Sequence, residues 1–157
     1  MPCNNDDMIV VNGVKLKQFK GADFQKVEDE DGNIVFCSVL PEEAGFTPSI
    51  RIDNFEEENL KDVLPFTRTT TIFQQKCIEA TIENIKNELK ETECDMKILK
   101  RTENTFTTLL SFETHYAYQK HIVDFRRGRC IIVTSCYKSS RDGEIMNACV
   151  DSATLSE

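Results

Sequence analysis

The chain begins with a segment in which apolar and polar residues alternate as they do in a β-hairpin. Apolar residues fill 8–11, and 14–19 begins with alternating apolar and polar side chains, with Asn12 and Gly13 between the two runs. Asn-Gly favours a tight hairpin turn because both residues tolerate the positive φ angles that such a turn requires. Period-two alternation is typical of a strand with one buried face. The same reasoning predicts further strands at 24–27, 34–40 and 49–52.

A different period follows in the middle of the chain, where apolar residues recur every three or four positions. They are Phe73, Cys77, Ile78, Ile82, Ile85 and Leu89. This spacing places one apolar stripe along about five helical turns, and a threonine among 69–71 can cap the first turn. The pattern predicts a helix over 70–91 that packs on a sheet.

The remainder of the chain predicts an antiparallel meander and then a second helix. Apolar spacing indicates a weak strand at 96–99, longer strands at 105–114, 116–125 and 130–137, and a helix over 144–155. Strands, a long helix, a meander and a helix in that order are typical of the α+β class and not of alternating βαβ units. We therefore expect an antiparallel sheet with a long central helix and a C-terminal helix.

Length and charge limit the classes of function. The 157 residues predict a flexible N-terminus at 1–7 and a single α+β domain over 8–157. The chain carries 19 Lys and Arg against 27 Asp and Glu, a net charge of −8. Nucleic acids and anionic membranes are bound first through Lys and Arg, so neither is predicted as a partner. Without a secretory signal or a long apolar run, the sequence predicts a cytoplasmic protein with no membrane insertion.

Seven cysteines stand at long and irregular spacings, without any C-x-x-C pair. Structural zinc sites usually bring ligands in close pairs, and disulfide frameworks are typical of secreted proteins. Most of the cysteines lie within apolar runs, where cysteine behaves as a small hydrophobic residue. The sequence therefore predicts reduced, mostly buried structural cysteines, with no metal and no cofactor.

The residues best suited to zinc binding or nucleophilic catalysis are His115, His121, Cys130 and Cys136. On one continuous strand the two histidines would lie about 20 Å apart, too far to share a metal ion. A catalytic thiolate needs a nearby base or cation, and His121 can face Cys130 across the predicted hairpin. No flanking signature of a nucleophile accompanies Cys130. The sequence therefore predicts half-exposed strand histidines and a non-enzymatic protein, with a small Cys/His-dependent enzyme as an alternative.

Two segments have the composition of a partner-binding surface. The first, before the long helix, combines acidic residues with the large apolar residues Phe55, Leu60, Val63, Leu64 and Phe66. The second is a dense arginine cluster: Arg126, Arg127 and Arg129. Guanidinium groups present paired donors to phosphate or carboxylate groups. The partner is predicted to be another protein with a basic or apolar segment, and the acidic runs at 28–31 and 53–58 suit a basic one.

The order of elements resembles the PsbP-like α/β/α sandwich, which is shared by an extrinsic photosystem II subunit, the Ran-release factor, bacterial lipoproteins and secretion adaptors. The resemblance is carried by the loop and strand 45–52, the helix 70–90, the strand 129–135 and the last helix with 151–153. Members of this fold mostly bind proteins and assist assembly, which the resemblance implies here by analogy.

Together these observations predict a protein-binding domain that acts as a secretion-associated adaptor or chaperone. An apolar groove on the sheet would shield a segment of the partner. An immunity-type inhibitor, whose acidic face blocks a basic target, is the alternative within the class of binding proteins.

Overall fold

The structure, a computed structural model, describes residues 8–17, 24–28, 34–39, 46–56, 71–90, 92, 94–124, 129–138 and 140–155. Within these ranges the strands are β1 (Met8–Val11), β2 (Val14–Lys17), β3 (Gln25–Glu28), β4 (Ile34–Val39), β5 (Ser49–Glu56), β6 (Asp95–Arg101), β7 (Thr105–Ser111), β8 (Tyr116–Asp124), β9 (Arg129–Tyr137) and β10 (Thr154–Leu155). The helices are α1 (Thr71–Glu88) and α2 (Ser140–Asp151). Neither of these two helices has the length and apolar composition that a membrane crossing requires.

β1 and β2 form the hairpin that the Asn-Gly pair predicts. Val11 pairs with Val14, so the turn contains only Asn12 and Gly13. These two residues have φ angles of 51° and 85°, in the left-handed region that glycine and asparagine adopt most readily. β10 pairs with β2, and the three strands form a small sheet in the order β1-β2-β10.

The other seven strands form one antiparallel sheet in the order β3-β4-β5-β9-β8-β7-β6. β7, β8 and β9 are the predicted meander, because each pairs with the next along the chain, and β6, the predicted weak strand, pairs with β7 at its edge. β5 comes from the first half of the sequence, yet it pairs with β9 from Ser49 opposite Cys136 to Glu56 opposite Arg129. This pairing joins the two halves of the chain into a single sheet.

The two faces of the large sheet are covered by different layers, because successive residues of a strand point to opposite faces. On the α1 face, Cys130 of β9 packs in a cluster with Ile78 and Ile82 of helix α1. On the α2 face, Ile131 packs in a larger cluster with Met146 of helix α2 and with residues of the small sheet. The layer over the α2 face is therefore a helix together with a second sheet.

The predicted α/β/α sandwich with a long central helix is wrong. The helix predicted over 70–91 is present as α1, but antiparallel strands dominate the described chain. The helix predicted over 144–155 begins earlier, at Ser140, and ends at Asp151; the chain then forms β10. Local periodicity does not show which strands pair. The pairing of β5 with β9 makes a large sheet, and not a helix, the centre of the fold.

Candidate functional site

The two predicted binding segments lie mostly outside the described residues. The predicted binding residues outside the described ranges are Leu60, Val63, Leu64, Phe66, Arg126 and Arg127. In the ladder between β5 and β9, Phe55 is opposite Cys130 and Glu56 is opposite Arg129. The register therefore brings the start of the first segment and the end of the second to the same end of the sheet. Their role in partner binding stays a prediction.

His121 and Cys130 lie on the same face of the sheet, but both are buried. Val123 pairs with Cys130, and His121 is two positions before Val123 on that face. The imidazole is 1% exposed and stacks on Phe106, with 4.3 Å between ring centroids and 6° between planes. Among the described residues, neither ring nitrogen has a hydrogen-bond partner.

Burial lowers the pKa of His121 to about 4, because the charged imidazolium loses its hydration there. The imidazole is therefore neutral at pH 7 and has almost no contact with solvent. A general base must reach the proton that it accepts, through a hydrogen bond or a water molecule. The arrangement favours a packing role for His121, and the expectation of a half-exposed histidine is wrong at this position.

His115, immediately before β8, belongs to a separate aromatic cluster. Its ring stacks with Phe46 and Phe112, at centroid distances of 5.1 and 4.7 Å, and its Nδ1 lies 2.9 Å from Oγ1 of Thr114. In the described ranges, no group of three or more histidine, cysteine or acidic residues is arranged to hold a metal ion. The two histidines occupy different environments and do not share a site.

Five cysteines have side chains that the structure describes, and none of these five forms a disulfide: Cys37, Cys94, Cys130, Cys136 and Cys149. Cys130 and Cys149 are buried, as predicted, whereas the other three are half-buried. Burial is the main cause that raises the pKa of four thiols, those of Cys37, Cys94, Cys136 and Cys149, the last to about 12. A raised pKa favours the thiol over the nucleophilic thiolate, as is typical of structural cysteines.

A recess between helix α2 and the sheet is a candidate binding site. It has a volume of about 510 Å³, in the range of pockets that receive small ligands. Its walls come from β7, β8, β9 and the first two turns of α2. We call it the tyrosine pocket; it is lined by Leu109, Tyr116, Tyr137, Lys138, Gly143, Glu144 and Asn147.

Two tyrosines from neighbouring strands form one wall of the tyrosine pocket. Tyr116 and Tyr137 are paired residues of β8 and β9, so their side chains lie on the same face. Their ring centroids are 5.8 Å apart, with 27° between planes. Tyr137 is 7% exposed and Tyr116 is 41% exposed. The inner ring is therefore part of the core, whereas the outer ring faces solvent.

Helix α2 approaches the inner tyrosine closely because residue 143 is glycine. A Cβ atom at Gly143 would lie 2.6 Å from Cε2 of Tyr137, well inside the contact distance of about 3.5 Å between carbon atoms. One turn further along, Asn147 accepts a hydrogen bond of 3.0 Å from the Ser135 hydroxyl. The Asn147 amide also donates a hydrogen bond of 3.1 Å to the Tyr137 hydroxyl. These contacts hold the Tyr137 ring in one position and make this wall of the pocket rigid.

The last turn of α2 is fastened to the same face of the sheet by charged groups. The Tyr118 hydroxyl donates a 2.5 Å hydrogen bond to Oδ1 of Asp151, and burial together with this carboxylate raises the pKa of Tyr118. The Lys120 ammonium donates to the main-chain oxygens of Asp151 and Ala153, each at 2.8 Å. A cation at the C-terminus of a helix interacts favourably with the unpaired carbonyl groups and the helix dipole. The helix that forms the pocket wall is therefore anchored at its far end.

The rim of the tyrosine pocket carries one charge of each sign. Lys138 and Glu144 are both exposed and both line the pocket, so their charges offset each other locally. The chain as a whole has a net charge of −8. The net negative charge of the molecule speeds the approach of cations in general, whereas Lys138 and Glu144 together leave the described rim without a net charge.

No residue of the tyrosine pocket stands out in the sequence patterns as a binding residue. One signal is present in Gly143, which lies near the start of a helix although glycine disfavours helical structure. Such a glycine often indicates that another group packs closely against the helix. Tyr116 and Tyr137 carry no comparable signal, because they become neighbours only through the register of β8 and β9.

Comparisons with known proteins do not assign a family. No family model matches the chain, and no curated protein matches it. Among solved structures, a protein from Bacteroides thetaiotaomicron is similar at 13% sequence identity, with a TM-score of 0.43. The match covers 96% of this chain and 48% of that one, so the chain spans about half the length of the matched protein. The resemblance to PsbP-like proteins is not tested by these comparisons and stays a prediction.

Proposed function

We propose that this protein is a non-enzymatic protein-binding domain and that the tyrosine pocket is its recognition site. The observation that carries the proposal is the position of the exposed Tyr116 ring beside a concave surface whose wall is already in place. Tyrosine is enriched at protein interfaces because it supplies a large contact area and loses little side-chain entropy. A ring that is 41% exposed at the mouth of a recess is therefore suited to anchor a partner.

The rigid wall of the pocket supports the same proposal. Asn147 holds the hydroxyl of Tyr137 by a hydrogen bond, and Gly143 allows the ring to pack against helix α2. A surface that is ordered before binding avoids the entropy loss of ordering it in the complex. A partner that enters the pocket therefore retains more of its interaction energy as affinity.

Within this proposal, the protein is a cytoplasmic adaptor or chaperone of the secretion-associated kind, which holds a segment of its partner. Its net charge of −8 supports a basic segment, because complementary charge speeds association and excludes wrong partners. The same charge supports a second candidate, an immunity-type inhibitor that covers a basic surface of its target. An inhibitor abolishes the activity of its partner, whereas an adaptor leaves that activity intact.

A random-peptide display library tests the proposal without a known partner. We expect the wild-type protein to enrich peptides whose affinity falls about tenfold in Tyr116→Ala, a loss typical of an interface anchor. The matched control is Ile145→Ala. This change removes a side chain of helix α2 that is 49% exposed and does not line the pocket. Equal affinity for the wild type and Tyr116→Ala would overturn the proposal, and so would a selection that enriches no peptide.

A further inference from the structure

We infer that the partner side chain received by the tyrosine pocket is basic and that arginine suits the pocket best. This inference rests on the proposed function, because it names the chemistry of the segment that is bound there. Three observations carry it: the exposed face of a tyrosine ring, a carboxylate at the rim, and the acidic charge of the whole chain.

The outer tyrosine offers an electron-rich ring to a cation. Tyr116 stacks with Tyr137 on one side and is 41% exposed, so solvent reaches the remainder of its ring. A guanidinium group attracts such a ring and stacks on it with its plane parallel, while its N–H donors stay free at the edge. Arginine therefore gains from the ring of Tyr116 and still bonds to groups at the rim.

The other lining residues suit the remaining parts of an arginine side chain. Glu144 supplies a carboxylate, the acceptor that a guanidinium group binds through two parallel N–H donors. Leu109 supplies apolar surface for the methylene stem, which long basic side chains bury while the charged end stays hydrated. Lys138 opposes a cation, whereas the net charge of −8 speeds the approach of a basic ligand.

Other occupants fit these groups less well. An acidic side chain would meet the Glu144 carboxylate and the net negative charge of the chain, and among the described lining residues only Lys138 offers it a cation. A neutral polar group, such as a sugar ring or an amide, would contact Tyr116 but would gain nothing from the charge. Probes that differ in charge therefore distinguish the three classes.

The test is a titration of the isotope-labelled full chain with capped tripeptides, followed by NMR. The probes are acetylated and amidated Gly-Arg-Gly, Gly-Gln-Gly and Gly-Glu-Gly, and maltose serves as the sugar. We expect Gly-Arg-Gly to shift the backbone amide signals of Gly143 and Asn147 and to bind about two- to fivefold more tightly than Gly-Gln-Gly, the range of an exposed cation–π contact. Higher salt should weaken this binding.

Variants at the rim test whether the bound side chain is positively charged. Tyr116→Leu and Glu144→Gln should each weaken Gly-Arg-Gly by about two- to fivefold, whereas Lys138→Gln should strengthen it. All three positions are exposed, so the variants are expected to fold. The matched control is Glu103→Gln, which makes the same change of charge at an exposed residue that does not line the pocket and should leave the affinity unchanged.

The failure of this inference is distinguishable from the failure of the proposed function. Binding of Gly-Gln-Gly, Gly-Glu-Gly or maltose as tightly as Gly-Arg-Gly would overturn the inference, as would weaker binding in Lys138→Gln. Selected peptides that depend on Tyr116 but share no basic residue would also overturn the inference and would leave the proposed function in place. Selected peptides that do not depend on Tyr116 would overturn both.

Discussion

The two faces of the large sheet come from the same strands, yet their helices are held in different ways. On the α2 face, hydrogen bonds from Ser135 to Asn147 and from Tyr118 to Asp151 fasten the helix. On the α1 face, the described contacts are mainly apolar, apart from an exposed ion pair of 3.6 Å between helix α1 and β6. One deeply buried polar side chain of that face, His121, has no hydrogen-bond partner among the described residues.

This difference indicates why the tyrosine pocket lies under helix α2. Apolar burial stabilises a helix but has no preferred direction, whereas hydrogen bonds and a close glycine contact define its rotation and its distance from the sheet. A helix that forms the wall of a binding site needs a defined position, because ordering a loosely placed helix when the ligand binds costs affinity. The α1 face has a different constraint. It contains the buried imidazole of His121, which burial keeps in the neutral form.

The largest expected effect concerns that ring on the α1 face. The unfolded chain protonates His121 near its ordinary pKa of 6.5, whereas the folded protein resists protonation down to a pKa of about 4. The free energy of unfolding should therefore be highest above pH 6.5 and should lose about 3 kcal/mol through this residue as the pH falls to 4. Urea unfolding between pH 4 and pH 7 measures the effect.

His121→Leu isolates this contribution from the titration of carboxylates in the same range. The variant should lose the part of the acid dependence that His121 causes, and at pH 7 it should be as stable as the wild type or more so, because it removes two unpaired buried nitrogens. His115→Leu is the matched control, since it retains His121 and with it the acid sensitivity. An unchanged pH dependence in His121→Leu would contradict the account of the α1 face.

A smaller effect is expected at the charged anchor of the α2 face. Lys120→Met keeps a long apolar stem but removes the ammonium that bonds to two carbonyl groups at the end of helix α2. We expect the free energy of unfolding to decrease by about 1–2 kcal/mol, measured in urea at pH 7. Lys97→Met makes the same change at an exposed lysine of β6. If both variants lose the same stability, the anchor contributes nothing beyond its charge.

The smallest effect is expected where helix α2 meets the inner tyrosine. Gly143→Ala improves helix propensity by about 1 kcal/mol, but its Cβ atom would collide with the ring of Tyr137, and overpacking costs about 1–3 kcal/mol. The net loss should be about 1 kcal/mol, with altered NMR signals around the pocket.

A second background shows whether the ring is the cause of that loss. In Tyr137→Leu, where the ring is absent, the added Gly143→Ala change should be neutral or stabilising, a coupling that a double-mutant cycle measures. Ala148→Gly, at an exposed position of the same helix, reports helix propensity alone. A loss from Gly143→Ala that is the same in both backgrounds would rule out the close contact as its cause.

The elements of this fold are predictable from short stretches of sequence. The turn at Asn12 and Gly13 follows from two residues that tolerate positive φ, and the predicted hairpin is present. Helix α1 spans Thr71–Glu88, against a prediction of 70–91, because an apolar stripe of helical period is a property of neighbouring residues. Both patterns depend on residues that lie within a few positions of one another and not on the remainder of the chain.

The layers and the candidate site were not predictable in the same way. The alternation of β5 and β9 is compatible with many partners, so the pairing of Ser49 with Cys136 is not visible in either strand. His121 occupies a strand position that the sequence alone describes as half-exposed, and its burial depends on Phe106 and on helix α1 above it. Tyr116 and Tyr137 become neighbours only through the register of the meander.

By itself, the sequence determined where most strands and helices form, which of their faces are apolar, and an acidic charge that disfavours nucleic acid as a partner. These properties depend on the chemistry of residues close together in the chain. The tertiary structure alone decided that seven of the described strands form one sheet and that His121 is buried with no hydrogen-bond partner among the described residues. It also decided that two tyrosines, a glycine and an asparagine line the same pocket. The physical reason is that register and burial are properties of pairs of distant residues, and those pairs exist only once the chain has folded.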